Sequence, residues 1–125
     1  MSAQLILVVE DNETNQMLTI AVLQRDGYRV VVAGSAAEAR QQIEETTPDL
    51  ILMDVQLPGE DGLAFTRDLR RDPATGSIPI VAMTAHAMQG DAQLAIDAGC
   101  SGYISKPIDT RALAQQVRKY LALAR

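Results

Sequence analysis

The chain has 125 residues, 47% of them apolar and 22% charged, a composition that suits one globular domain with a sizeable core and excludes a disordered or fibrous protein. Acidic residues outnumber basic ones 16 to 11, and the adjacent basic pairs are Arg70/Arg71 and Arg118/Lys119, so the electrostatic footprint of a direct nucleic-acid binder is missing. The apolar runs reach only strand length, no charged segment leads into a signal-like stretch, and the single cysteine, Cys100, cannot close an internal disulfide. The expectation is one cytoplasmic domain over residues 1–125 without a membrane span, and the start at Met1 points to a complete protein.

In chain order, apolar and β-branched runs predict strands at Leu5–Val9, Val30–Ala33, Leu50–Met53, Ile78–Met83 and Gly102–Ile104, with helical segments between them. Asn12 is placed to cap the first helix, which carries Leu18, Ala21 and Val22 at i, i+3, i+4 and stops at Gly27. Ser35 and Glu38 have capping-box spacing for the second, whose Ala36, Ala39 and Ile43 share a face before Pro48 closes the segment. A third helix is expected from near Asp61 to Arg71 with Phe65 and Leu69 inward, and a lightly anchored, alanine-rich fourth from about Met88 to Ala98, stopped by Gly99. Asp109 caps the fifth, with Ile108 and Leu113 as a hydrophobic staple and Val117, Tyr120 and Leu121 continuing the stripe.

The strands read as continuous apolar runs, so both faces of a parallel sheet should be covered by helices. Five βα units fit a doubly wound (βα)5 three-layer sandwich with strand order 2-1-3-4-5, whose crevice opens at the carboxyl ends of the strands. Glu10 and Asp11 follow the first run, Asp54 the third, Thr84 the fourth, and Ser105 and Lys106 the fifth. In that order these four strands are neighbours, and their polar endings converge.

Taken singly, each residue has an ordinary explanation. Asp54 suits a loop or a helix cap, Glu10 and Asp11 favour the positive end of the next helix, Lys106 before Pro107 suits a turn, and Thr84 satisfies a backbone donor. Together they ask for more. Three clustered carboxylates repel, so one would take up a proton unless a cation is near. Few carboxylates with room for waters and phosphate oxygens is the ligand pattern of Mg²⁺. Asp54 is then a candidate nucleophile toward a phosphoryl group, with Lys106 neutralising the charge that develops and Thr84 donating a hydrogen bond.

The residues Leu5-Ile6-Leu7-Val8-Val9-Glu10-Asp11-Asn12, Leu50-Ile51-Leu52-Met53-Asp54, Leu57-Pro58-Gly59 with Gly62, Thr84-Ala85 and Ser105-Lys106-Pro107 resemble the receiver (CheY-like) domain of two-component response regulators over nearly the whole chain. The resemblance implies a flavodoxin-like fold in which Asp54 accepts a phosphoryl group from a phosphohistidine. It implies Mg²⁺, with Mn²⁺ as a substitute, held by Asp11, Asp54 and the backbone carbonyl of Gln56, with Glu10 acting through a metal-bound water. Lys106 and Thr84 would bind the phosphate, and a cis peptide would precede Pro107. A Thr84/Tyr103 switch would then alter the face of the fourth helix, fifth strand and fifth helix that a downstream protein reader recognises.

Asn15 and the stretch Thr84-Ala85-His86-Ala87-Met88-Gln89-Gly90-Asp91 resemble receivers of hybrid kinases, phosphorelays and stand-alone regulators, which implies a sensor histidine kinase or histidine phosphotransfer protein as donor. Gln56 and His86 stand where side chains shape the access of water to the phosphoryl group. His86, the single histidine, is expected on an exposed loop without a catalytic role, and Cys100 as a small buried hydrophobe. Three other functions compete with this reading. A haloacid-dehalogenase-type phosphatase would need a second Asp where Gln56 stands, so multiple-turnover catalysis is disfavoured. A nucleotide binder would need a phosphate-cradling glycine loop where Glu10 and Asp11 repel anions. A receiver-like interaction module working without phosphorylation is the main alternative.

Overall fold

The computed structural model describes residues 3–57, 59–85, 90–106 and 108–123. The elements are β1 (Leu5–Val9), α1 (Glu13–Arg25), β2 (Arg29–Ala33), α2 (Ala36–Glu45), β3 (Leu50–Asp54), α3 (Gly62–Arg71), β4 (Ile80–Thr84), α4 (Asp91–Ala98), β5 (Gly102–Ser105) and α5 (Thr110–Leu123). The sheet is parallel with order β2-β1-β3-β4-β5. None of the described helices is long and apolar enough to cross a membrane.

Every residue of β1, β3 and β4 is buried because each strand feeds two cores in alternation. Leu7, Val9, Ile51, Met53, Ile80 and Ala82 pack with Ala36 and Ala39 of α2, Phe65 and Leu69 of α3, and Ala95 and Ala98 of α4. Their neighbours Ile6, Val8, Leu50, Leu52, Val81 and Met83 pack with Val22 and Leu23 of α1 and Leu113, Val117 and Leu121 of α5. Ile108, expected to staple onto Leu113, packs against the second core, of which Leu113 is a member.

Local signals place the helix starts. Asn12 Oδ1 accepts from Asn15 N at 2.9 Å, Asp61 Oδ1 from Leu63 N at 2.9 Å, and Asp109 Oδ1 from Arg111 N at 2.9 Å. The α2 start differs in one detail. Ser35 Oγ accepts from Glu38 N at 3.2 Å, but Glu38 Oε2 reaches past Ser35 to accept from Gly34 N at 3.1 Å, so the box closes one residue early. The expected α4 start at Met88 lies outside the described residues; the helix is described from Asp91, after Gly90 at φ 94°. Its anchoring is light, as expected: Ala95 and Ala98 are buried, while Leu94 and Ile96 are exposed.

Two expectations are corrected. The inward face of α1 is Thr19, Val22 and Leu23, not Leu18, Ala21 and Val22. Apolar residues run almost continuously from Met17 to Leu23, so sequence periodicity does not choose between adjacent faces. Packing chooses the one on which Thr19 Oγ1 is satisfied by the Asn15 carbonyl at 2.8 Å, leaving Leu18 exposed. The fourth strand begins at Ile80, not Ile78: Ile78 is buried, but its carbonyl accepts from Arg70 Nη1 at 2.6 Å and its N–H bonds Thr75 O.

Cys100 is buried in the first core beneath Thr66, and burial pushes its thiol above the ordinary value of 9.0. Native protein should therefore react slowly with a thiol reagent at pH 8 and promptly once unfolded in denaturant. Because the folded state keeps a proton that the unfolded chain releases, Cys100 lowers stability as pH rises beyond about 9. Equal labelling rates for native and unfolded protein would contradict this burial.

Candidate functional site

The sheet order brings four strand ends together. Glu10 and Asp11 follow β1, Asp54 ends β3, Thr84 ends β4 opposite Ser105, and Lys106 follows β5, where its N–H donates to Thr84 O at 2.8 Å. Glu10, Asp54 and Thr84 are buried, while Asp11 is exposed at the mouth. Carboxylate oxygens of Glu10, Asp11 and Asp54 lie within 4.8 Å of one another. Of the strand-end residues expected to converge, Glu10, Asp11, Asp54 and Lys106 meet through their side chains.

Burying two of these acids demands compensation, and Lys106 supplies part of it. Its Nζ stands 3.0 Å from Glu10 Oε1 and 3.0 Å from Asp54 Oδ2, bridging both. Burial opposes the ammonium, but hydrogen bonds and charge from Asp54 and Glu10 outweigh it and raise Lys106 above its ordinary range. Glu10 is also raised, first by burial and then by the adjacent Asp54 carboxylate, against the pull of Lys106. One ammonium among three carboxylates leaves an excess of negative charge lined by hard oxygen donors. That donor set fits a small divalent cation of the Mg²⁺ type.

Asp54 is held at both oxygens. Oδ1 accepts the Gln56 N–H at 2.9 Å and Oδ2 meets Lys106, so the carboxylate orientation is set before any reactant arrives. Gln56 itself is exposed, immediately beyond Val55, whose N–H donates to Met83 O. Tyr103 pairs with Ala82 in the strand register and is 43% exposed on β5, two residues before the strand end that carries the cluster. His86 and the peptide before Pro107 lie outside the described residues.

Sequence reasoning did not single out Gln16 as a site residue or find the reason for Gly62. Gln16 Nε2 donates to the Glu10 carbonyl, tying the start of α1 to the acidic turn. Its only signal was its place one turn beyond the Asn12 cap. Gly62 opens α3 against Asp54: a Cβ there would collide with the Asp54 carbonyl oxygen. Lys106→Ala would leave two buried carboxylates without their cation, at a cost of roughly 3–5 kcal/mol. Its melting temperature in chelator should fall, and added Mg²⁺ should recover part of the loss; an unchanged melt would refute this electrostatic role.

Clustered acids, a bridging lysine and a strand-end hydroxyl stand at the carboxyl edge of a 2-1-3-4-5 sheet, the edge at which doubly wound folds bind ligands. The chain belongs to the response regulator receiver domain family, whose model matches residues 6–118. It is 40% identical over 116 residues to the polar-differentiation response regulator DivK of Brucella ovis, covering 93% of this chain and 94% of that relative. A Chloroflexus aurantiacus J-10-fl protein described as a response regulator superposes with TM-score 0.93 at 34% identity, covering 97% of this chain and 99% of that one. The receiver domain of the sensor histidine kinase PA1611 from Pseudomonas aeruginosa PAO1, solved with magnesium coordinated in its active site cleft, superposes with TM-score 0.88 at 36% identity, covering 97% of this chain and 99% of that domain. The chain is thus a receiver domain of two-component signalling with an acidic cluster compatible with Mg²⁺ and phosphorylation.

Proposed function

We propose that this chain accepts a phosphoryl group on Asp54 from the phosphohistidine of a sensor histidine kinase or histidine phosphotransfer protein. The observation that carries the reading is the Lys106 ammonium bridging two buried carboxylates, one of which is already oriented by the Gln56 N–H. An Asp54 oxygen attacks phosphorus in line with the departing imidazole; the O–P bond forms as the P–N bond breaks, and the imidazole nitrogen keeps the electron pair. Lys106 turns from Asp54 toward an equatorial phosphoryl oxygen, and the Thr84 hydroxyl donates to another. Bound Mg²⁺ supplies charge neutralisation on the phosphoryl oxygens.

Asp11, Asp54 and the Gln56 carbonyl would hold that ion, with Glu10 acting through a bound water; the same oxygen donors would serve Mn²⁺. The protein is then a signalling acceptor that can shed its own phosphate and not a multiple-turnover enzyme, working in the cytoplasm. Drawing Thr84 toward phosphate vacates space behind it for Tyr103, changing the α4-β5-α5 face offered to a downstream protein reader. Intact mass after incubation with Mg²⁺ and acetyl phosphate tests the reading. One added phosphoryl group, absent with chelator, is the expected result. Neither adduct nor Mg²⁺-dependent release of inorganic phosphate would instead favour an interaction module that works without phosphorylation.

A further inference from the structure

Glu60 lies four residues beyond Gln56, in the segment that joins β3 to α3. Arg40 reaches it from α2, with Nη1 2.8 Å from Glu60 Oε2 and Nη2 2.8 Å from Oε1, a two-pronged pair that sets the plane of the carboxylate. The same Nη2 is 3.1 Å from Asp68 Oδ2 on α3, and the guanidinium carbon lies 4.6 Å from the centre of the Phe65 ring. Phe65 is wholly buried, so the guanidinium is seated on an immobile platform. The Glu60 pair raises Arg40 above its ordinary range despite desolvation, and Arg40 holds Glu60 below its own.

The ends of this segment are tied by other bonds. Val55 O accepts from Gly62 N at 3.2 Å, Asp54 Oδ1 from Gln56 N at 2.9 Å, and Asp61 caps Leu63. Between them, Glu60 is tied by its side chain to a neighbouring helix. Arg40 is 42% exposed and Glu60 31%, and an exposed ion pair adds little to global stability. What the two-pronged, ring-seated geometry provides is position.

We propose that Arg40 is a positioning residue for the Mg²⁺ site: by clasping Glu60 from α2 it holds the β3–α3 segment in the conformation that presents the Gln56 carbonyl to the cation. This rests on the phosphoryl-acceptor reading, which assigns that carbonyl to the metal. The sign of the effect separates the clasp from simple charge. Arg40 is a positive group in a chain of net charge −5, so on electrostatics alone its removal would tighten binding of a divalent cation. The clasp requires the reverse.

Calorimetric titration with MgCl₂ on wild type, Arg40→Ala, Arg40→Lys, Glu60→Ala and the double alanine variant, beside thermal melts in chelator, tests this. Arg40→Ala should weaken Mg²⁺ binding by about three- to tenfold, at or below the effect usual for residues that orient a metal ligand. Arg40→Lys should fall between, because an ammonium cannot form the two-pronged pair. The double variant should bind no worse than Glu60→Ala. Chelator melts should stay within about 4 °C of wild type. The proposal is overturned if Arg40→Ala binds Mg²⁺ as tightly as wild type or more tightly, or if its chelator melt falls by more than about 10 °C, so that general loosening explains the loss. Failure of wild type to bind Mg²⁺ would instead overturn the acceptor reading itself.

Discussion

Asp54→Asn protein incubated with Mg²⁺ and acetyl phosphate should keep its unmodified mass, with no detectable adduct under conditions that phosphorylate the wild type. An amide of nearly the same shape removes the negative nucleophile and one hard oxygen donor together. In the folded protein the amide oxygen can still accept the Gln56 N–H now bound by Asp54 Oδ1, but its NH₂ then faces the Lys106 ammonium, donor against donor. That loss is offset in part because Glu10 no longer faces a like charge and its carboxyl falls back toward the ordinary range. The variant should therefore fold, and a chelator melt beside the mass measurement checks it. A phosphoryl adduct of undiminished yield on folded Asp54→Asn protein would remove Asp54 from the acceptor role.

Gly62→Ala should lower stability by roughly 1–3 kcal/mol, the cost typical of forcing an extra methyl into a packed site. The sign is informative, because alanine in place of glycine in a helix ordinarily stabilises by up to about 1 kcal/mol. Gly62 is the first residue of α3, and a Cβ there would overlap the Asp54 carbonyl oxygen, with Asp54 C and Val55 Cα each at 3.2 Å. These are backbone atoms, so no rotamer change relieves the clash, and the start of α3 must back away from the end of β3. Because Asp54 occupies that end, Mg²⁺ affinity should fall with stability. Gly34→Ala is the control: its nearest neighbour would be Glu38 Oε1 at 3.7 Å, an ordinary contact. A denaturant midpoint for Gly62→Ala at or above wild type would refute the close approach.

Much of the fold was legible because its signals are local. The caps at Asn12, Asp61 and Asp109 act within three residues of themselves, and the apolar runs that became β1 and β3 were bounded by polar residues. The α1 face was misread because a helix apolar on nearly every side carries no phase of its own; contact with the sheet and α5 supplied it. Gln16 carried only its place one turn beyond the Asn12 cap, and Arg40 carried no local mark of the partners it meets. Their partners, the Glu10 carbonyl and the Glu60 carboxylate, are brought to them by the packing of one element against another.

The residues that close each apolar run name the groups at the carboxyl ends of the strands, and so the chemistry available there: two acids after β1, one at the end of β3, a hydroxyl at the end of β4 and an ammonium after β5. It takes the packed fold to bury Glu10 and Asp54, to leave Asp11 exposed, and to bring one Lys106 ammonium to partners 96 and 52 residues away in the chain. The reason is physical. Caps and periodicity arise from interactions within a turn or two of helix, whereas burial and the meeting of strand ends follow from parallel register between strands separated by whole βα units, and no short stretch of chain encodes that register alone.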